Sequence, residues 1–255
     1  GMRRSVLFAA LLIAAAGSIS AQAAGKHTGG IAAQPNKAVM ADFDIIHAKI
    51  TSSGNIATFH MAVAGRAGKS RPTATGKLAG GRVFSYVWPV SLDPYDVGFE
   101  RGSGILALAV TAHPDFDDTP LYDENGDGKL DNDGNLWHSH WVVLQPNETC
   151  GKGALAVVDI PEGNKPRLPK TWPGLPILID SPGWDPVFSS EHVEVRGLPH
   201  PLTAVGDAGT LADMKFDGVA AGLRVNASVH APLLCVTNVF KVASGDLSLP
   251  GRIDR

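Results

Sequence analysis

The sequence predicts a mainly β protein, an antiparallel β-sandwich or barrel-like single domain with long Pro/Gly-rich loops. Short runs of alternating apolar and polar residues recur along most of the chain. Turn chemistry separates these runs, drawn from 29 glycines and 18 prolines. Helical periodicity is scarce, and the βαβ alternation that builds a parallel sheet is missing.

The first two runs, at 44–51 and 56–63, flank Ser52-Ser53-Gly54-Asn55 and read as a β-hairpin. Pairing Thr51 with Ile56 puts Ile46, Ala48 and Ile50 on one face with Ala57, Phe59 and Met61. It also sets His47 across from His60. Further strand-like runs follow at 83–87, 105–112, 136–144, 154–160, 191–196, 223–230 and 234–242. Residues 202–214 are the best helical candidate. There is no clear internal repeat. The Pro-rich stretch 161–186 could carry a boundary, but one β domain over 41–255 is the preferred division.

Gly1 reads as a residue added ahead of Met2. Arg3 and Arg4, an apolar run at 6–16 and Ala21-Gln22-Ala23 then form the pattern of a secretory signal over 1–23. The apolar run is shorter than the roughly 20 residues a membrane span needs. Residues 24–40 have no periodicity and read as a flexible lead-in. The expected location is therefore secreted or periplasmic, with no membrane span. In an oxidising compartment Cys150 and Cys235 are expected to form a disulfide, against the alternative of two buried free thiols. A formal net charge of −3 argues against nucleic acid as the partner.

Between 115 and 133 eight acidic residues (Asp115, Asp117, Asp118, Asp123, Glu124, Asp127, Asp131 and Asp133) face a single Lys129. Such a run repels itself unless it binds a cation or stays mobile. Asp123, Asn125, Asp127 and Asp131 place oxygens at positions 1, 3, 5 and 9, Gly128 supplies the sharp turn at position 6, and Lys129 offers its carbonyl at position 7. Over about twelve residues this segment resembles the calcium loops of EF-hand and dockerin proteins, which implies Ca²⁺ as the bound ion. It departs from them at position 12, where Gly134 replaces the closing acid. Asp133, Asp115, Asp117, Asp118 or Glu148 must then complete the coordination. The flanks do not read as paired helices, so the loop is expected between two strands. The alternative is a solvated acidic loop without tight metal.

Directly after it, Trp137-His138-Ser139-His140-Trp141 places His138 and His140 on one face of a strand. The pair offers two ligands of a Zn²⁺ or Cu²⁺ site, to which His113, ending the preceding strand, or the His47/His60 pair could add a third that the sequence does not choose, against the alternative of hydrogen-bonded histidines beside the loop. Trp88, Trp172 and Trp184 sit in Pro/Gly-rich surroundings and are candidates for stacking on a sugar. There is no Gly-x-Ser-x-Gly elbow, His-Glu-x-x-His or P-loop, and the glycine pattern at 151–156 lacks the strand-turn-helix context of a dinucleotide site.

These readings combine into an exported calcium-binding protein acting as a binding or structural module rather than an enzyme, its partner an unidentified small molecule, glycan or protein. In strand pattern the chain resembles exported β-sandwich domains of the DOMON and carbohydrate-binding kind. The alternatives are a Zn/Cu-binding protein or metalloenzyme using His138 and His140, and a glycan-binding or glycoside-active protein.

Overall fold

The computed structural model describes residues 29–53, 56–118, 123–160, 179–180, 185–197, 213–227 and 232–254. In chain order the strands are β1 (Ile31–Ala32), β2 (Ile45–Ser53), β3 (Ile56–Val63), β4 (Arg82–Pro89), β5 (Ile105–Ala112), β6 (His138–Pro146) and β7 (Leu155–Val157), followed by β8 (Ile179–Asp180), β9 (Pro186–Ser189), β10 (His192–Gly197), β11 (Lys215–Phe216), β12 (Val219–Val225), β13 (Leu234–Val242) and β14 (Gly251–Asp254). Short 3₁₀ turns lie at Pro94–Asp96 and Glu148–Cys150. No helix among the described residues is long and apolar enough to cross a membrane.

Six strands close into an antiparallel barrel in the order β5–β4–β12–β13–β7–β6, with β6 returning to β5. A second sheet runs β11–β14–β2–β3–β10–β9, with β1 also on β2. All its pairings are antiparallel except β14 with β2. The predicted mainly β, sandwich- or barrel-like fold thus takes the form of a closed barrel packed against a sheet.

Side-chain alternation explains this layering. On β5, Leu106, Leu108 and Val110 point outward, as do Tyr86 and Trp88 on β4 and Trp141 on β6. They meet Ile45, Ile50, Phe59, Met61, Val193 and Val195 of the second sheet. Phe59 packs edge-on against both Trp88 and Trp141, at 5.9 and 6.0 Å. The opposite face of the same strands fills the lumen with Val83, Val87, Ala109, Val142, Leu144 and Ala221. A barrel this narrow is normally plugged by its own side chains, and alanines at 109 and 221 are too small to do so. They leave a cavity of about 110 Å³ inside it.

Cys150 and Cys235 form the expected disulfide, with Cα atoms 5.4 Å apart. It braces the seam where β7 meets β13 through the single register pair Cys235–Ala156. Cross-linking residues 85 apart in sequence removes chain entropy from the unfolded state, about 4 kcal/mol in the loop-closure account.

Several local expectations shift. In the hairpin, Ser53 pairs with Ile56, and a bulge between Ile45 and His47 changes the strand's phase, so Ile45 enters the core in place of Ile46 and Lys49 lies opposite His60. Part of the lead-in proves ordered. Ile31 is buried, β1 pairs with β2, and Asn36 N donates to the buried Asp44. The strand expected at 223–230 begins earlier, at Val219. Trp88 is fully buried in the core, which removes it as a sugar platform. The signal segment, Trp172, Trp184 and all but the last two residues of the helical candidate lie outside the described residues.

Candidate metal centre

The strand β6 carries His138, His140, Val142 and Leu144 on its lumen face, and β5 ends on the same face with Thr111 followed by His113. The β5–β6 register, Ala109 with His140 and Thr111 with His138, stacks these residues at one mouth of the barrel. β8 pairs with β6 at His140 and Trp141 and fixes the backbone on its other side. The chain then leaves β5 through residues 113–118 and brings Asp118 back over the mouth.

His113, Asp118 and His140 converge there, all three buried. Their ligand atoms lie within 4.8 Å of one another. His113 Nε2 is 3.1 Å from Asp118 Oδ1, and His140 Nε2 is 3.3 Å from Asp118 Oδ2. Nitrogen and oxygen ligands set tetrahedrally around one zinc-sized ion stand about 3.3 Å apart. Despite the short approach, His113 Nε2 and Asp118 Oδ1 lack hydrogen-bond geometry and have no such partner among the described residues.

The outer contacts fit the same description. His113 Nδ1 donates to the Phe116 carbonyl at 2.9 Å, which leaves Nε2 as the lone-pair nitrogen of the neutral ring. The Phe116 ring lies flat on His113, centroids 4.0 Å apart and planes 3° from parallel. Burial opposes ionisation of Asp118, but His113 and His140 outweigh it and hold the carboxyl well below the usual carboxylate range.

His138, paired with His140 in the sequence, takes a different role. Its Nε2 donates to the Asp133 carbonyl at 2.9 Å, and its Nδ1 lies 3.2 Å from Glu124 Oε1. Burial, the largest influence, pushes its pKa down to about 4 despite the nearby Asp118 charge. Of the three histidines offered as transition-metal ligands, His113 and His140 thus converge with Asp118, and His138 bonds to the acidic loop. Asp118 appeared in the sequence only as one of several acids. Its distance from His113 along an irregular loop gave no periodic signal that the two would meet.

The acidic loop folds on itself. Asp123 Oδ1 accepts from the Gly126 and Asp127 amides and Oδ2 from Gly128, Asn125 Oδ1 accepts from Asp127, and Asp127 accepts from Lys129 and Asn132. Gly126 and Gly128 take positive φ of 73° and 86°, as the tight wrap requires. Lys129 and Asp131 are exposed. The hydrogen bonds of Asn132 and Lys129 hold the Asp127 carboxyl below its ordinary range.

A second set of converging groups lies beneath this loop, formed by Asp117, Glu124 and Asp133. Asp133 is buried; Oδ2 accepts from Glu124 N at 2.9 Å, while Oδ1 has no hydrogen-bond partner among the described residues. Gly134, at position 12 of the acidic loop's spacing, has no room for a side chain. A Cβ there would stand 1.7 Å from the Phe116 carbonyl oxygen. Glu124 is a group the sequence reading did not select. Asp115 is engaged elsewhere, accepting from the Thr75 and Gly76 amides. Glu148 lies beyond the far end of β6, in the 3₁₀ turn that carries Cys150.

No family model matches the chain, and no curated protein or solved structure matches it.

Proposed function

We propose that this is an exported metal-binding β-barrel in which His113, Asp118 and His140 hold a divalent transition ion, zinc foremost, at the mouth of an apolar lumen. The observation that carries the reading is the buried approach of His113 Nε2 and Asp118 Oδ1 to 3.1 Å without a hydrogen bond. Two imidazoles and one carboxylate suit Zn²⁺ and Fe²⁺, and leave coordination positions for a water or a small-molecule ligand. The same three side chains line the cavity, so a ligand of the ion would reach it from the lumen. The bound ion would supply a Lewis-acid centre, and the three side chains would fix it with one unit of negative charge. The test is metal content: purified protein dialysed free of loose metal should retain near one equivalent of a transition ion, and a His113→Ala, His140→Ala variant should not. Folded wild type that takes up no transition ion when it is offered contradicts the reading.

Calcium remains the proposed partner of the acidic loop, now with Asp117, Glu124 and Asp133 as the gathering point. The supporting observation is the buried Asp133 Oδ1 without a hydrogen bond, which an oxygen-loving cation would satisfy. In this role the ion is structural, tying the loop to the strand that carries His140. Calcium should raise the melting temperature of chelator-treated protein, and Asp133→Asn should abolish the rise. A wild-type melting temperature indifferent to chelator and to calcium contradicts it.

A further inference from the structure

We propose that the barrel lumen binds a compact, mostly apolar molecule whose single polar head coordinates the ion held by His113, Asp118 and His140, a monocyclic aromatic or short branched aliphatic acid being the fitting class. This inference rests on the metal reading above and adds the nature of what the ion receives.

Three observations support it. The lumen wall beyond the metal ligands is aliphatic, with Val83, Val87, Val142, Leu144, Leu223 and Val236 among its residues. A second ion or a sugar would find few partners there. The cavity of about 110 Å³ exists because β5 and β12 present alanine, at 109 and 221, where larger residues would close it. Apolar cavities of roughly 150 Å³ accept benzene, and this one is about a quarter smaller, so the apolar part of a ligand inside it is at most a single ring or a branched chain of a few carbons, with the head group outside it on the ion. Polar chemistry is confined to the metal end. Ser85 spends its hydroxyl on the Ala221 carbonyl at 2.9 Å, whereas the buried Thr111 Oγ1, on the lumen face two residues before His113, has no hydrogen-bond partner among the described residues. A buried hydroxyl in that state calls for a partner delivered from the cavity. The head group of a ligand on the ion would pass beside it.

The ligand is therefore recognised by a division of labour. The ion takes one anionic donor, Thr111 offers one hydrogen bond, and the aliphatic wall takes the apolar remainder. The lumen would reject charged or extended chains, because a second charge in it has no counter-ion.

The experiment uses the full chain loaded with Co²⁺, titrated with benzohydroxamate and with acetohydroxamate. Both offer the same head group, and only the first carries a ring. Binding is followed by calorimetry and by the cobalt visible spectrum, which reports the head group on the ion. The expected result is a spectral change with both, and binding of benzohydroxamate about tenfold tighter or more, since burying a ring removes far more apolar surface than burying a methyl. Ala221→Leu, which fills the lumen from the opposite wall, should keep the cobalt and lose that preference. Equal affinities for the two hydroxamates in the wild type would overturn the inference while leaving the metal site standing, and this comparison needs no variant to fold. A preference that survives unchanged in folded Ala221→Leu would overturn it too. Failure of the wild type to bind cobalt or zinc would overturn the metal reading and this inference with it.

Discussion

Replacing Gly134 by alanine should damage the fold and the metal centre together. The added Cβ would stand 1.7 Å from the Phe116 carbonyl oxygen and 2.6 Å from that of His113. Restoring an ordinary contact of 3.4 Å means moving backbone against backbone by about 1.7 Å, with no flexible side chain to absorb it. Both strands of that contact aim His113. The Gly134 carbonyl accepts from His113 N at 2.7 Å, and the Phe116 carbonyl accepts from His113 Nδ1 at 2.9 Å. Losing or stretching two buried hydrogen bonds costs about 1 kcal/mol each, and the steric strain adds about 1–3 kcal/mol. The expected loss is about 3–5 kcal/mol, or a fall in melting temperature of about 10 °C for a chain of this size. Because the displaced contact orients a ligand, zinc affinity should fall about 10–100-fold. Differential scanning calorimetry and competition with a chromogenic chelator measure the two effects. Gly126→Ala is the control, since its Cβ meets nothing within 4 Å and only its φ of 73° opposes the change; it should cost about 1 kcal/mol and leave zinc affinity alone. A Gly134→Ala protein that melts within 2 °C of wild type, roughly the effect of less than 1 kcal/mol, and binds zinc normally would refute the reasoning.

Removing the disulfide by Cys150→Ser with Cys235→Ser should cost about 4 kcal/mol by chemical denaturation, and hydrogen exchange should rise first along β7, whose link to β13 is one register pair. Tyr86→Phe should cost about 2–3 kcal/mol in the same assay, because the Tyr86 hydroxyl donates to the Asp42 carbonyl and accepts from the Gly68 amide in the buried layer between sheets. Asp44→Ala should cost about 3 kcal/mol, since it strands the Lys241 ammonium now 2.7 Å from a carboxylate that is 3% exposed; a change within 0.5 kcal/mol, the usual effect of a surface substitution, would mean the pair contributes little.

Strand positions were legible where a long run was bounded by turn residues. The runs at 105–112 and 234–242 coincide with β5 and β13, and β5 is almost continuously apolar because both of its faces are buried, one against the second sheet and one in the lumen. The two-residue strands β1, β8 and β11 carry no readable period, and they exist only because a neighbouring edge supplies their hydrogen bonds. Closure of the barrel was equally hidden. It rests on β6 returning to β5, a pairing across the whole acidic loop that local pattern does not encode. At the candidate site, strand parity put His138 and His140 on one face, as the β5–β6 register does. Parity could not show that His138 lies one step past the mouth, where the Asp133 carbonyl and Glu124 take both its nitrogens. The calcium-like spacing runs over 123–131, and the converging groups found there, Asp117, Glu124 and Asp133, are mostly outside the spaced positions. Gly134, the residue that broke the pattern, marked the point where the loop packs on the carbonyls that position His113.

Whether His113, Asp118 and His140 hold one transition ion is decided by elemental analysis of the purified chain beside its Asp118→Asn variant. Asparagine keeps the shape of Asp118 and removes the charge that makes it a ligand. Near one equivalent of zinc or iron is expected in the wild type after dialysis, with retention about a hundredfold weaker in the variant and both proteins folded. Equal metal content in the two, or none in folded wild type offered zinc and iron, would contradict it.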